Sequence, residues 1–253
     1  MKNFVDKDSI VRRIWGKSDT ILFIFAGAAA EFALNKAVDW LYFTGRLPAD
    51  PLGRLFSTVT YARLIVFSNH DAALKAIDAM RQIHTSVEQK RGSTIPDWAY
   101  RDVLFMLIHY SIASFELLER RLTKEEKEEV FDVFSRVGSR MGLSGLPGNY
   151  EGWVLMHEEH LQNDLRKSEY TIDLFKQYRK NLGGVRYVIL KEGQKLVVPR
   201  RVRELLGFSS FSFLSTVVPL YKLSRSLKLD WLIKSAILPG DYKEQIRKLD
   251  QER

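Results

Sequence analysis

Apolar residues recur along this chain at intervals of three and four, the spacing that gathers them on one face of a helix. From Thr20 to about residue 43 the chain is apolar almost all round, which predicts a central helix capped by Ser18 or Asp19. Its small residues, Ala26 to Ala30, leave room for another helix or a flat ligand. Ahead of it, residues 1–17 read as an amphipathic lead-in with Asp8 or Ser9 as the cap and Arg12 and Arg13 exposed.

Capping signals divide the rest. Residues 45–49 form a loop, then Asp50 precedes Pro51 and opens a helix to about Phe67. Arg54 and Thr58, four apart, share one of its faces beside an apolar face of Leu55, Val59, Ala62 and Val66. Asn69 or Asp71 starts the next helix, whose stripe is Leu74, Ile77, Met80, His84 and Val87. After a polar turn at 89–96, a helix from Asp97 to about Arg121 carries Leu104, Ile108, Ile112, Phe115 and Leu118, with His109 beside that stripe. Thr123 and Glu126 form a capping box for a helix that stops at Gly142. Helices follow at about 150–165 and 171–182, the second ending at Gly183-Gly184. Val185 to Leu190 has the β-branched content of a short strand. Residues 199–206 read as helix, and the aromatic stretch 208–218 as core packing. Two short helices, near 221–237 and 241–251, close the chain. The class predicted is all-α, as a single domain over residues 1–253 with 157–253 its C-terminal part.

The run Thr20–Ala30 ends in small residues like a signal-peptide core, but Asp6, Asp8 and Asp19 precede it and Glu31 follows. It is also too short to span a bilayer. A buried helix is the better reading, in a soluble, cytoplasmic chain with peripheral membrane contact left open. The absence of cysteine removes disulfides, thiolate-ligated haem, iron–sulfur clusters and Cys nucleophiles. The net charge of +8 is carried by Lys and Arg dispersed among acids, which favours a solvated surface over a nucleic-acid site. The sequence says nothing of oligomeric state.

No Gly-rich phosphate loop or nucleophile elbow is present. His157 and His160 are three apart around Glu158 and Glu159, whereas the zinc-protease pattern needs histidines four apart. A solvated polar face is the preferred reading there, and His70 reads as an exposed turn residue. There remain His84, His109, Arg54 and Thr58 on neighbouring helices. Two histidines on successive apolar helices can meet in one pocket, as ligands or as ordinary core residues.

At these positions the sequence resembles the catalytic domain shared by latex-clearing (rubber) oxygenases and MpaB-type oxygenases. The resemblance covers about Trp15 to Met156. Asp50-Pro51-Leu52-Gly53-Arg54 with Thr58 and Ile83-His84-Thr85-Ser86-Val87 look like two of its segments. Leu107-Ile108-His109, Arg136-Val137-Gly138 with Gly142, and Leu146-Pro147 follow in its order. The resemblance implies a globin-like helical fold that binds haem b. It implies His84 as the iron ligand, Arg54 and Thr58 as catalytic residues near the haem, and His109 with Arg54 as haem-supporting groups. It also implies dioxygen and a small apolar substrate, isoprenoid or lipid-like. Ala28-Ala29-Ala30 replaces an alanine-histidine-proline of the family, and Ser57 replaces a distal lysine whose partner acid would fall near Val38. No glycine follows Val87. The reading is therefore a haem-b-dependent oxygenase, with a non-catalytic haem carrier or sensor and a haem-free interaction protein as alternatives.

Overall fold

Capping side chains open several of the helices in the computed structural model, which describes residues 2–45, 49–226 and 243–251. Ser9 accepts from Val11 N and opens α1 (Ile10–Trp15). Asp50 accepts from Gly53 N at the start of α4 (Pro51–Phe67), and Asn69 from Ala72 N at the start of α5 (His70–Arg91). The Thr123–Glu126 capping box opens α7 (Lys124–Met141), which ends at left-handed Gly142. Between them run α2 (Ser18–Phe32), α3 (Asp39–Phe43) and α6 (Asp97–Leu118). Then come α8 (Tyr150–Asn163), α9 (Glu169–Val197), α10 (Arg200–Leu206), α11 (Leu214–Ser226) and α12 (Lys243–Gln251). The fold is all-α, and the described residues hold only two isolated β-bridges, Asn3 to Asn69 and Asn35 to Leu165.

α2 and α6 pack on each other at the centre. Gly27 makes this possible: a Cβ there would stand 2.2 Å from the Tyr110 ring. α6 buries Leu104, Ile108, Ile112, Phe115 and Leu118, the stripe its spacing predicts, together with Phe105, Met106 and Tyr110. α1 and α7 close one side with Ile14, Trp15, Val130, Phe131 and Phe134. There Trp15 donates its indole N–H to Ser111 at 3.2 Å. Arg63 is buried, and its guanidinium reaches the carbonyls of Trp15 at 2.7 Å and Leu249 at 3.0 Å, tying α4 to α1 and α12. On the other side Leu174 and Tyr178 of α9 pack against Ala33.

Four details differ from the sequence expectations. The central helix does not run to residue 43: it stops at Phe32, and turns through Asn35 lead to α3. Its cap position is Lys17, while Ser18 instead binds the Asp250 carboxylate. Val185–Leu190 is helical, because the chain resumes its helix after a break at Gly183 (φ 75°, ψ 170°) that only glycine adopts freely. The stretch 208–218 does not pack wholly inward, since Phe211, Phe213 and Val217 are exposed. The side chains of Arg54 and Leu55, and residues 227–242 of the C-terminal helix expectations, lie outside the described residues. No described helix is long and apolar enough to cross a membrane.

Candidate functional site

The stripe on α5 leads from core into open space. Its first turns bury Ala73, Ala76 and Ile77 against the interior. Further along, Met80, Ile83, His84 and Val87 line a cavity of about 1320 Å³. The opposing walls come from α2, α4, α6, α9 and α11. Ala26, Ala28 and Ala29 contribute a low apolar surface, and Ser57 and Thr58 a polar one. Lys90 and Arg186 are lining cations. Lining residues Phe43, Ile83, Val103 and Val217 are exposed, so the cavity reaches the surface.

His84 is half-buried in this wall. Its ring meets Tyr100 of α6 edge-on, with centroids 5.2 Å apart and planes at 60°. The Tyr100 hydroxyl donates to Glu88 at 3.3 Å, and the same carboxylate oxygen accepts from Ile95 N at 2.8 Å. The α5–α6 turn thus fixes the ring that orients His84. Asp19, the lining acid on α2, is engaged by the Tyr221 hydroxyl at 3.0 Å and by Arg225 at 3.4 Å.

His109 is not among the described lining residues. It lies on α6 with its ring stacked on His157 of α8, centroids 4.9 Å apart and planes at 27°. The two histidines that sequence spacing would allow in one pocket therefore occupy two places. Thr58 joins His84 at the cavity. Arg54 stands on the same helix as Thr58.

His109 belongs to a buried polar cluster among α2, α6 and α8. Glu31 is fully buried, accepts from the Tyr110 hydroxyl at 2.7 Å and contacts His160 Nε2 at 3.0 Å. His157 Nε2 lies 4.0 Å from the same carboxylate. On its other side, His160 Nδ1 lies 2.8 Å from Asp102, whose second oxygen accepts from Asn35 at 2.8 Å. Burial works to raise the Glu31 carboxyl, but His160 and the other histidines hold it below its ordinary value. Asp102 is raised by its burial. Burial alone would lower His160; the Asp102 and Glu31 carboxylates outweigh it and push the imidazole up to about 10. His157 is pushed down to about 3 by burial, and His109 is lowered by burial too. The carboxylates thus favour a proton on His160, while burial favours the neutral form of His157 and His109.

His157 and His160 do not form a solvated face: they are 6% and 3% exposed. Only Glu158 and Glu159 between them face water. The signal was present in the spacing of Trp153, His157, His160 and Leu161, a helical stripe that is buried as one.

A family model described as ER-bound oxygenase mpaB/B'/Rubber oxygenase, catalytic domain, matches residues 12–225. The match runs well past Met156 and takes in α8, α9, α10 and α11. No curated protein and no solved structure matches the chain.

Proposed function

Because the chain belongs to the mpaB and rubber oxygenase catalytic-domain family, we propose that it is a haem-b-dependent oxygenase acting with dioxygen on an apolar, isoprenoid or lipid-like substrate. The observation that carries this reading is the apolar cavity with His84 in its wall. A haem needs an axial ligand, a flat apolar slot and cations for its propionates. His84 would be the ligand, the Ala26–Ala29 surface would accept the macrocycle, and Lys90 and Arg186 would pair with the propionates. Thr58 would hydrogen-bond within the pocket, and Arg54 would offset negative charge. His109, behind α6, would hold that wall in place rather than touch the macrocycle.

When bound, the haem supplies the dioxygen and one-electron chemistry. The protein's own part is to seat it, to orient the His84 ring through Tyr100 and to exclude water. The cavity exceeds the roughly 300–1,000 Å³ of common ligand sites, which leaves room for an apolar substrate beside the haem. Leu220 and Leu223 of α11 are also exposed, as is Phe211 before it, giving the cavity's α11 side an apolar exterior suited to substrates drawn from a lipid surface. Ser57, where latex-clearing relatives carry lysine, favours a second reading as a haem carrier without turnover.

The test is the absorption spectrum of protein from haem-supplemented cells, before and after dithionite. A Soret band with the reduced-state features of histidine-ligated haem b, absent from His84→Ala, is the expected result. A colourless protein that also fails to take up hemin overturns the proposal. Dioxygen-dependent consumption of polyisoprenoid alkenes separates the oxygenase from the carrier.

A further inference from the structure

We propose that His160, Asp102 and Asp164 bind one divalent transition-metal ion at a site separate from the cavity. His160 Nδ1 lies 2.8 Å from an Asp102 oxygen and 3.7 Å from an Asp164 oxygen. One atom from each of the three residues falls within 4.8 Å of the others. Ligands sharing a zinc-sized ion at about 2.0–2.2 Å stand roughly 3–3.5 Å from each other, so the His160–Asp102 pair at 2.8 Å would open by a few tenths of an ångström and the wider pairs would close by about one at most.

The orientation of His160 supports the same conclusion. The Asp102 oxygen stands 2.8 Å from Nδ1, close enough to share a proton with it. An imidazole nitrogen and a carboxylate oxygen this close can share an ion in place of the proton. His160 is 3% exposed, so this nitrogen meets Asp102 and Asp164 away from bulk water.

The surroundings are those of a metal-ligating imidazole. Nε2 faces Glu31 at 3.0 Å, and Tyr110 holds Glu31 in turn. A carboxylate behind a histidine keeps the proton on the far nitrogen and leaves the near lone pair for the ion. Asn35 secures the other oxygen of Asp102. Asp164 terminates α8, a helix end that favours cations, and its side chain is 28% exposed, giving water and the ion a path inward. One nitrogen and two carboxylate oxygens, with no thiolate, suit zinc or manganese better than soft ions, and the imidazole argues against magnesium and calcium. The ion would take the place of the proton on Nδ1 and join α8 to α6.

The test uses untagged full-length protein, stripped with chelator, dialysed against zinc chloride and assayed by elemental analysis. One zinc per chain is expected in the wild type and in His84→Ala, with loss in Asp164→Asn and Asp102→Asn. Zinc should also raise the melting temperature of the wild type but not of Asp164→Asn. Glu31→Gln should weaken zinc binding on the order of 10–100-fold. Asp164 is partly exposed, so its variant stays folded and decides the matter if Asp102→Asn does not fold. Failure of the wild type to bind zinc, equal zinc in Asp164→Asn, or zinc that departs with His84 overturns the proposal.

Discussion

His84 and His160 both sit on helical stripes, and they end in opposite settings. His84 lies where α5 leaves the core and faces open apolar volume, with Tyr100 edge-on to its ring. His160 lies in close packing, with a carboxylate on each side of its ring. The first is a group with room for a partner larger than itself. The second is a group held on both ring nitrogens by acids of the chain. Spacing along a helix puts a histidine on an inward face; the neighbouring helix decides what that face meets. α9 and α11 stand back from α5, whereas α2 and α6 bring Glu31 and Asp102 directly to α8.

If this contrast is correct, the two histidines should respond oppositely to removal. In metal-free protein His160→Ala leaves two buried carboxylates without their cation and should cost about 3–5 kcal/mol in urea denaturation. An effect below about 1 kcal/mol would place His160 among ordinary side chains. Gly27→Ala should come next, at about 1–3 kcal/mol, because the new methyl overlaps the Tyr110 ring and must push α2 from α6.

The pH dependence of stability is a third way to sharpen the comparison. His160 is raised to about 10, so its stabilising proton is fully present below the unfolded value near 6.5 and is lost as pH climbs toward 10. His157 is lowered to about 3, so the unfolded chain binds a proton that the native state refuses as pH falls below about 6.5. Chemical denaturation across pH 5–9 should therefore show stability declining on both sides of neutrality, and His160→Ala should flatten the alkaline limb. Smallest in stability is His84→Ala, at under about 1 kcal/mol, although haem retention should vanish. Equal haem content in mutant and wild type would remove His84 from the iron. Arg54→Ala should weaken haem retention with no change in melting temperature.

Much of the fold was legible because caps and stripes are local. Asp50 with Pro51, Asn69, and Thr123 with Glu126 mark helix starts that the structure keeps, and Gly142 marks a stop. Val185–Leu190 was misleading because β-branched residues carry only a weak preference, and the packing of α9 overrides it. The His84 stripe was legible as an inward face, but not the empty volume beyond it, since volume depends on helices a hundred residues away. The cluster was missed because Glu158 and Glu159 drew attention to the wrong side of α8. Its acids come from α2 and α6, and no local pattern pairs Glu31 or Asp102 with His160.

Gly27 has a consequence for anyone redesigning this protein. With no side chain there, α2 lies against the Tyr110 ring, whose hydroxyl in turn reaches Glu31. The same α2 offers Ala26 and Ala28 to the cavity, one residue to either side. The separation of these two helices is thus a shared dimension, and a bulkier substrate cannot be admitted by prising them apart without loosening the polar cluster. The more independent dial is on α11, at Val217 and Val218, which line the cavity from a helix outside the α2–α6 contact.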